Sequence, residues 1–394
     1  MSVPIASPMT AAPGPRIQLS RKKKVAFTAV VFVAFCLVTE AGARVASYFY
    51  YGRNPYYLLY GYRSWTNDEG TGHSEKLDGY FKFPPNQTIE YGTPEPCRIN
   101  NHGFRGADFE AQKPPGTFRI VALGASSTFG YLSTDQQTYP YLLGRLLGER
   151  VDGLAVEVLN AGIPHSTTDN IAAALERELL GYEPDLLTLY TCCADSVRPL
   201  AESGVQKTCR LLDEYSAAYA GLRKAVNSVV GPVLFGQWTD FLPKMDKAAL
   251  ERQVELHEAR TRGNLERIVA LARARGIPIV FIRQPLTSWF DRVKWGLASE
   301  SDPRPGYEEE YRAIQAELES TGHIHGFETT LYLHHHLIAI VDELAAKYGY
   351  PTVDNIALVS EKPETLGSWV HLTHEANERL ARALYPVVVP MVKP

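Results

Sequence analysis

A short, mostly apolar run at residues 119–123 stops abruptly at Gly124-Ala125-Ser126-Ser127-Thr128-Phe129-Gly130, and a helical pattern follows. Branched Ile120 and Val121 favour a buried strand, and Gly124 permits a sharp backbone turn. A strand feeding a small-residue turn and then a helix opens a βαβ unit. It sets Ser126 at the carboxyl end of a parallel strand, where open α/β sheets gather reactive groups. The plainer alternative is that Ser126 only caps the helix after it.

From residue 117 onward, strand and helix signals alternate. Strands are expected at 119–123, 156–159, 186–190, 279–282 and 352–353. Helices are expected at 139–148, 166–180, 247–275, 331–348 and 373–384. Leu142, Leu143, Leu146 and Leu147 share a helical face, and Leu265, Ile268 and Ala272 recur at helical spacing. Ser166-Thr167-Thr168 supplies capping residues, while Gly276 and Gly349 are stops. Strands separated by helices predict a central parallel sheet with right-handed crossovers, an α/β three-layer sandwich of flavodoxin-like type. Two polar excursions, 195–245 and 285–330, follow the third and fourth strands. They overhang the active edge, where a lid or substrate wall belongs. Some helix is expected within 211–229.

The N-terminus reads differently. Residues 1–24 are a Pro, Ala and Ser rich tail ending in Arg21-Lys22-Lys23-Lys24, expected to be disordered and cytoplasmic. An apolar run from 25 to 38 follows, extendable to 46 if Glu40 faces protein or the interface. The expected reading is a single-pass anchor in the inner membrane with the rest of the chain outside. A signal peptide cleaved near Ala41-Gly42-Ala43 is the alternative. Residues 47–115 form an aromatic, β-rich lead-in. Its tyrosines suit a membrane interface or simple packing. A turn at 98–106 carries two glycines, Gly103 and Gly106.

Composition narrows the function. With 40 Lys and Arg against 44 Asp and Glu, the chain has no basic footprint for nucleic acid. Five cysteines show no paired spacing for zinc. Cys97, Cys192, Cys193 and Cys209 leave a disulfide open, and Cys36 lies in the apolar run. His334-His335-His336 cannot converge on one ion from a helix, where successive side chains diverge by about 100°. His323 and His325 read as a loop pair. No metal or organic cofactor is expected.

Serine needs a base to take its proton. The stretch Ser368-Trp369-Val370-His371-Leu372-Thr373 follows the fifth strand and precedes the last helix, so His371 belongs at the same sheet edge as Ser126. With these residues the chain resembles the SGNH (GDSL-like) hydrolase family, particularly its membrane-anchored bacterial branch. The family's Gly-Asp-Ser block is similar to Gly124-Ala125-Ser126, and its Asn-Ala-Gly block to Asn160-Ala161-Gly162. Its Gly-x-Asn-Asp block falls on Cys192-Cys193-Ala194-Asp195, and its Asp-x-x-His-Leu-Thr block on residues 368–373.

The resemblance implies a domain at 116–390 in which Ser126 attacks an acyl ester, His371 is the base, and the backbone N–H groups of Ser126 and Gly162 hold the oxyanion. It also exposes three altered positions. Ala125 replaces the aspartate before the nucleophile. Ala194 replaces the oxyanion asparagine, a loss of about 10²–10³ in rate. Ser368 replaces the aspartate that orients the histidine, a loss of about 10⁴ in serine triads. Asp195, Glu361 or Glu364 are candidate substitute acids, and His165 is a candidate oxyanion donor. The implied function is an extracytoplasmic esterase or O-acyltransferase on glycan or lipid esters. The alternative is a degenerate relative that binds envelope glycan or scaffolds a complex.

Overall fold

The computed structural model describes residues 20–50, 75–76, 79–90, 92–148, 150–151, 153–197, 208, 212, 216–225 and 244–393. Its centre is a sheet of β1 (Thr117–Gly124), β2 (Arg150–Val151), β3 (Leu154–Gly162), β4 (Leu186–Tyr190), β5 (Ile279–Ile282) and β6 (Thr352–Val353). The spatial order is β6-β5-β4-β1-β3-β2, all parallel except the short edge strand β2. Taking the parallel strands alone, the second lies on one side of the first and the third on the other. This is the doubly wound order, and its switch point lies at the carboxyl end of β1.

Alternation along the strands builds two cores. Ile120 and Ala122 of β1, with Val280 and Ile282 of β5, face α3 (Tyr139–Leu147) and a C-terminal helix at 374–388. Val121, Leu123 and Phe281 point the other way, against helices from the rest of the chain. Those helices are α4 (Thr168–Arg177), α7 (Lys247–Arg273), α8 (Tyr307–Thr321) and α9 (Thr329–Tyr348). The short α2 (Ser126–Phe129), α5 (Cys193–Val197) and α6 (Ala217–Ala225) precede them, and α10 (His374–Val388) closes the fold. Central strands buried on both faces are mostly apolar, with Arg119 of β1 and Thr188 of β4 as buried exceptions.

The lead-in carries three-residue strands at 87–89 and 97–99, which pair antiparallel. Residues 51–65, which hold most of the tyrosine-rich stretch, lie outside the described residues. The excursion at 285–330 is not the irregular segment expected. It contains α8, and His323–His325 forms a two-stranded ribbon with Lys244–Asp246 in place of a loop.

At the N-terminus, α1 (Arg21–Tyr50) is long and apolar enough to cross a membrane, with mean hydropathy 2.1 over its best window. Glu40 faces protein. Its carboxylate accepts from Ser216 Oγ at 2.8 Å and from the N–H groups of Ala217 and Ala218 at 3.0 and 3.1 Å. Glu40 therefore caps the start of α6 from another element, and Arg44 pairs with it at 2.7 Å. An acidic group inside an apolar helix is tolerated when its charge is met in this way.

Candidate active site

The site begins with close packing. A Cβ on Gly124 would lie 2.0 Å from Thr128 Oγ1 and 2.5 Å from the carbonyl oxygen of Tyr190, so the turn folds back onto β4. Gly124 is required for this approach, not for an unusual φ. The left-handed position is Gly130, at φ +93°, which ends α2. Ala125 is the N-cap, so Ser126 is the first helical residue and its hydroxyl is not spent on capping. Between residues 121 and 130, Ser126 alone is not buried.

The C-terminal end of the turn is held by Arg105, whose guanidinium is buried. Nη1 donates to the carbonyls of Phe129 (3.1 Å) and Gly130 (2.8 Å), and Nη2 to that of Ser133 (2.7 Å). Asp135 pairs with Nε at 2.7 Å. Charge-assisted bonds of this kind satisfy the carbonyls a helix end leaves open. The 98–106 turn has the predicted shape, with Gly103 and Gly106 both at positive φ. Its purpose, delivering Arg105, was not visible in the sequence.

His371 arrives from the loop after β6. Its Nε2 lies 2.9 Å from Ser126 Oγ, and its Nδ1 lies 2.8 Å from Ser368 Oγ. Tyr131 stacks over the ring with centroids 4.4 Å apart, and Trp369 stands edge-on at 6.4 Å. Burial lowers the imidazole from its ordinary value to about 3, and His165 pushes the same way. The ring is neutral throughout the physiological range.

Two residues next to the pair share one hydrogen-bond chain. The N–H of Cys193 donates to Gln284 Oε1 at 2.9 Å, and Gln284 Nε2 donates to Ser127 Oγ at 3.1 Å. Ser127 Oγ in turn donates to the carbonyl of Val370 at 3.2 Å. Ser127, the neighbour of Ser126, is thus bonded directly to Val370, the neighbour of His371, and Gln284, just past β5, anchors Ser127 to Cys193. All of these groups are buried, where a satisfied network fixes geometry. Thr287 adds a backbone N–H to the carbonyl of Trp369 at 2.9 Å.

The other expected residues sort clearly. Asp195 does not serve His371. Its buried carboxylate accepts from the N–H and Oγ1 of Thr168, the latter at 2.7 Å, and so holds the start of α4. Glu364 is exposed, and Glu361 is ion-paired with Arg379. The position at Nδ1 that a substitute acid would fill belongs to a hydroxyl. Ala194, in α5, offers no side-chain amide. The N–H of Gly162 donates to Asn160 Oδ1 at 3.0 Å. His165 is exposed, with φ +63°, and is close enough to His371 to act on its charge.

Cys97, Cys192 and Cys193 are buried thiols, and burial raises the pKa of all three. Cys209 lies outside the described residues. Cys192 stands where the family pattern has glycine, and its φ is +99°, a region that side chains rarely adopt. The three histidines of α9 diverge. His334 meets Tyr307, His335 stacks on Tyr311 at 3.6 Å, and His336 meets Glu258 at 3.1 Å.

Ser126 thus stands at the switch point of a doubly wound sheet with the His371 imidazole on its hydroxyl. The chain belongs to the GDSL-like lipase/acylhydrolase family, whose model matches residues 120–384. No curated protein matches it. Among solved structures, a lipase/acylhydrolase from Enterococcus faecalis is similar at 16% identity and TM-score 0.41, covering 71% of this chain and 98% of that one. TesA is similar at 15% identity and TM-score 0.38, covering 70% and 99%. An acetylxylan esterase from Geobacillus stearothermophilus, in a catalytic-mutant form, is similar at 16% identity and TM-score 0.37, covering 70% and 95%.

Proposed function

We propose that the protein is a single-pass inner-membrane enzyme whose C-terminal domain, outside the cytoplasm, cleaves or transfers acyl groups from glycan or lipid esters. Ser126 Oγ attacks the ester carbonyl while His371 Nε2 takes its proton. The tetrahedral intermediate expels the alcohol, which receives that proton, and an acyl-Ser126 remains. Water or a sugar hydroxyl, deprotonated by His371, then releases the acyl group. The reading rests chiefly on the 2.9 Å separation of Ser126 Oγ and His371 Nε2.

The oxyanion would be met by the N–H of Ser126, which as the first residue of a helix has no intrahelical acceptor. Gly162 would join it only by exchanging its bond to Asn160, and His165, near enough to act on His371, would be the side-chain donor. With Ala194 lacking the amide donor, turnover is expected to be slow by about 10²–10³ relative to a complete hole. The anchor reading rests on α1 and the four cations that open it, which such sequences keep on the cytoplasmic side.

A fluorophosphonate probe on the full-length protein in detergent tests the chemistry. Labelling of the wild type, abolished in Ser126→Ala, is the expected result. A wild type that takes no label would leave the degenerate, glycan-binding relative as the reading. Capture of the acyl group by an added oligosaccharide in preference to water would identify a transferase.

A further inference from the structure

The hydroxyl that replaces the orienting carboxylate has a fixed inventory: one proton to donate and two lone pairs to accept. Ser368 Oγ accepts from the N–H of His371 at 3.2 Å and from the N–H of Val370 at 3.5 Å. Backbone N–H groups can only donate, so these two occupy the accepting side. What remains is the hydroxyl proton, and the remaining neighbour is His371 Nδ1 at 2.8 Å. We propose that Ser368 donates to Nδ1 and so holds the resting imidazole in the Nε2–H tautomer, in which His371 donates to Ser126 Oγ and cannot take its proton.

A carboxylate at this position would act in the opposite sense. It has no proton to give, can accept both backbone N–H groups, and forces the ring proton onto Nδ1. The altered residue therefore does more than weaken an ion pair. It makes the productive tautomer the minor form, and catalysis passes through that minor population. A mis-set tautomer costs about 10⁴ in serine triads, which bounds the effect from above. Ser368 is thus a positioning residue that acts through His371, and the inference rests on the reading of Ser126 and His371 as nucleophile and base.

Nitrogen-15 NMR of the imidazole rings reads the tautomer without reference to activity. In full-length protein labelled at histidine, His371 is expected to show a protonated Nε2 and a bare Nδ1. In Ser368→Asp the pattern should reverse, and fluorophosphonate labelling of Ser126 should accelerate at least tenfold. A wild-type ring already protonated at Nδ1 would overturn the proposal, as would a reversed ring with an unchanged labelling rate. The wild-type spectrum decides the first point even if the variant folds poorly. If neither protein is labelled while the ring carries its proton on Nε2, the catalytic reading fails and the tautomer assignment stands.

Discussion

Two histidines, His371 at the rim of the sheet and His334 on α9 behind it, meet the same immediate chemistry. Each has Nδ1 against a hydroxyl: Ser368 Oγ at 2.8 Å for His371, and the Tyr307 hydroxyl at 2.9 Å for His334. Burial lowers both to about 3. They part at the second nitrogen. His371 Nε2 reaches Ser126, whereas His334 Nε2 is buried with no hydrogen-bond partner among the described residues. A displaced pKa therefore does not tell the two rings apart; the neighbour at the second nitrogen does.

The comparison predicts opposite failures. His371→Ala should cut fluorophosphonate labelling by about 10³ or more, in the range of a lost general base in a serine triad, with little change in stability. His334→Ala should cost about 3 kcal/mol, as large-to-small core substitutions do, and leave labelling per folded molecule intact. Labelling rates together with urea titrations on both variants check this. If His334→Ala silences a folded protein, the two rings are not the separate cases drawn here.

A smaller effect is expected one step away from the pair. Gln284→Ala removes the link between Ser127 and Gln284 and leaves the N–H of Cys193 without its acceptor. Ser126, His371 and the bond from Ser127 to the Val370 carbonyl remain, but the nucleophile turn loses the amide that anchors Ser127. Labelling should slow about 10- to 100-fold, since small misplacement at a reacting pair has outsized kinetic cost. The pH dependence of labelling should keep its shape, because the titrating ring is unchanged. A shifted acid limb would show that Gln284 tunes the imidazole instead of placing it.

How much of this was legible depends on distance along the chain. Strands β4, β5 and β6 match the expected segments residue for residue, because short apolar runs between breakers carry their own ends. Strand β3 runs longer than expected at both ends. Its extra residues are fixed by pairing with β1 from Thr117 to Gly124, which no local signal reports. Helix α8 was missed because it lies within the polar excursion, with Glu308, Glu309 and Glu310 in its first turn. Its core face of Tyr307, Glu310, Ile314 and Leu318 includes a buried acid, held by Thr287 and Ser288, which broke the apolar period. Ser126 and His371, which the fold brings to 2.9 Å, were singled out through their blocks. Arg105 and Gln284 were not, since each matters through partners brought near only by the fold. An amide two residues after a fully apolar strand was the available clue for Gln284.

The weakest expected effect separates activity from stability as pH falls. Near pH 6.5 an unfolded chain's histidines take up protons, while His334 and His371 in the folded state refuse them until about pH 3. The unfolded state then binds more protons, so stability is present above pH 6.5 and drains away on acidification toward 3. For the fully buried His334 the loss by pH 5 is on the order of 2 kcal/mol, and for the partly exposed His371 it is smaller. Urea midpoints at pH 7 and pH 5 should therefore draw together in His334→Phe, which has no ring to protonate. Labelling, normalised to folded protein, should stay level over the same interval, because the base at the rim is still neutral. A labelling rate that halves near pH 6.5 would mean that water reaches His371 freely, and that the likeness between the two rings ends at their shared hydroxyl contact.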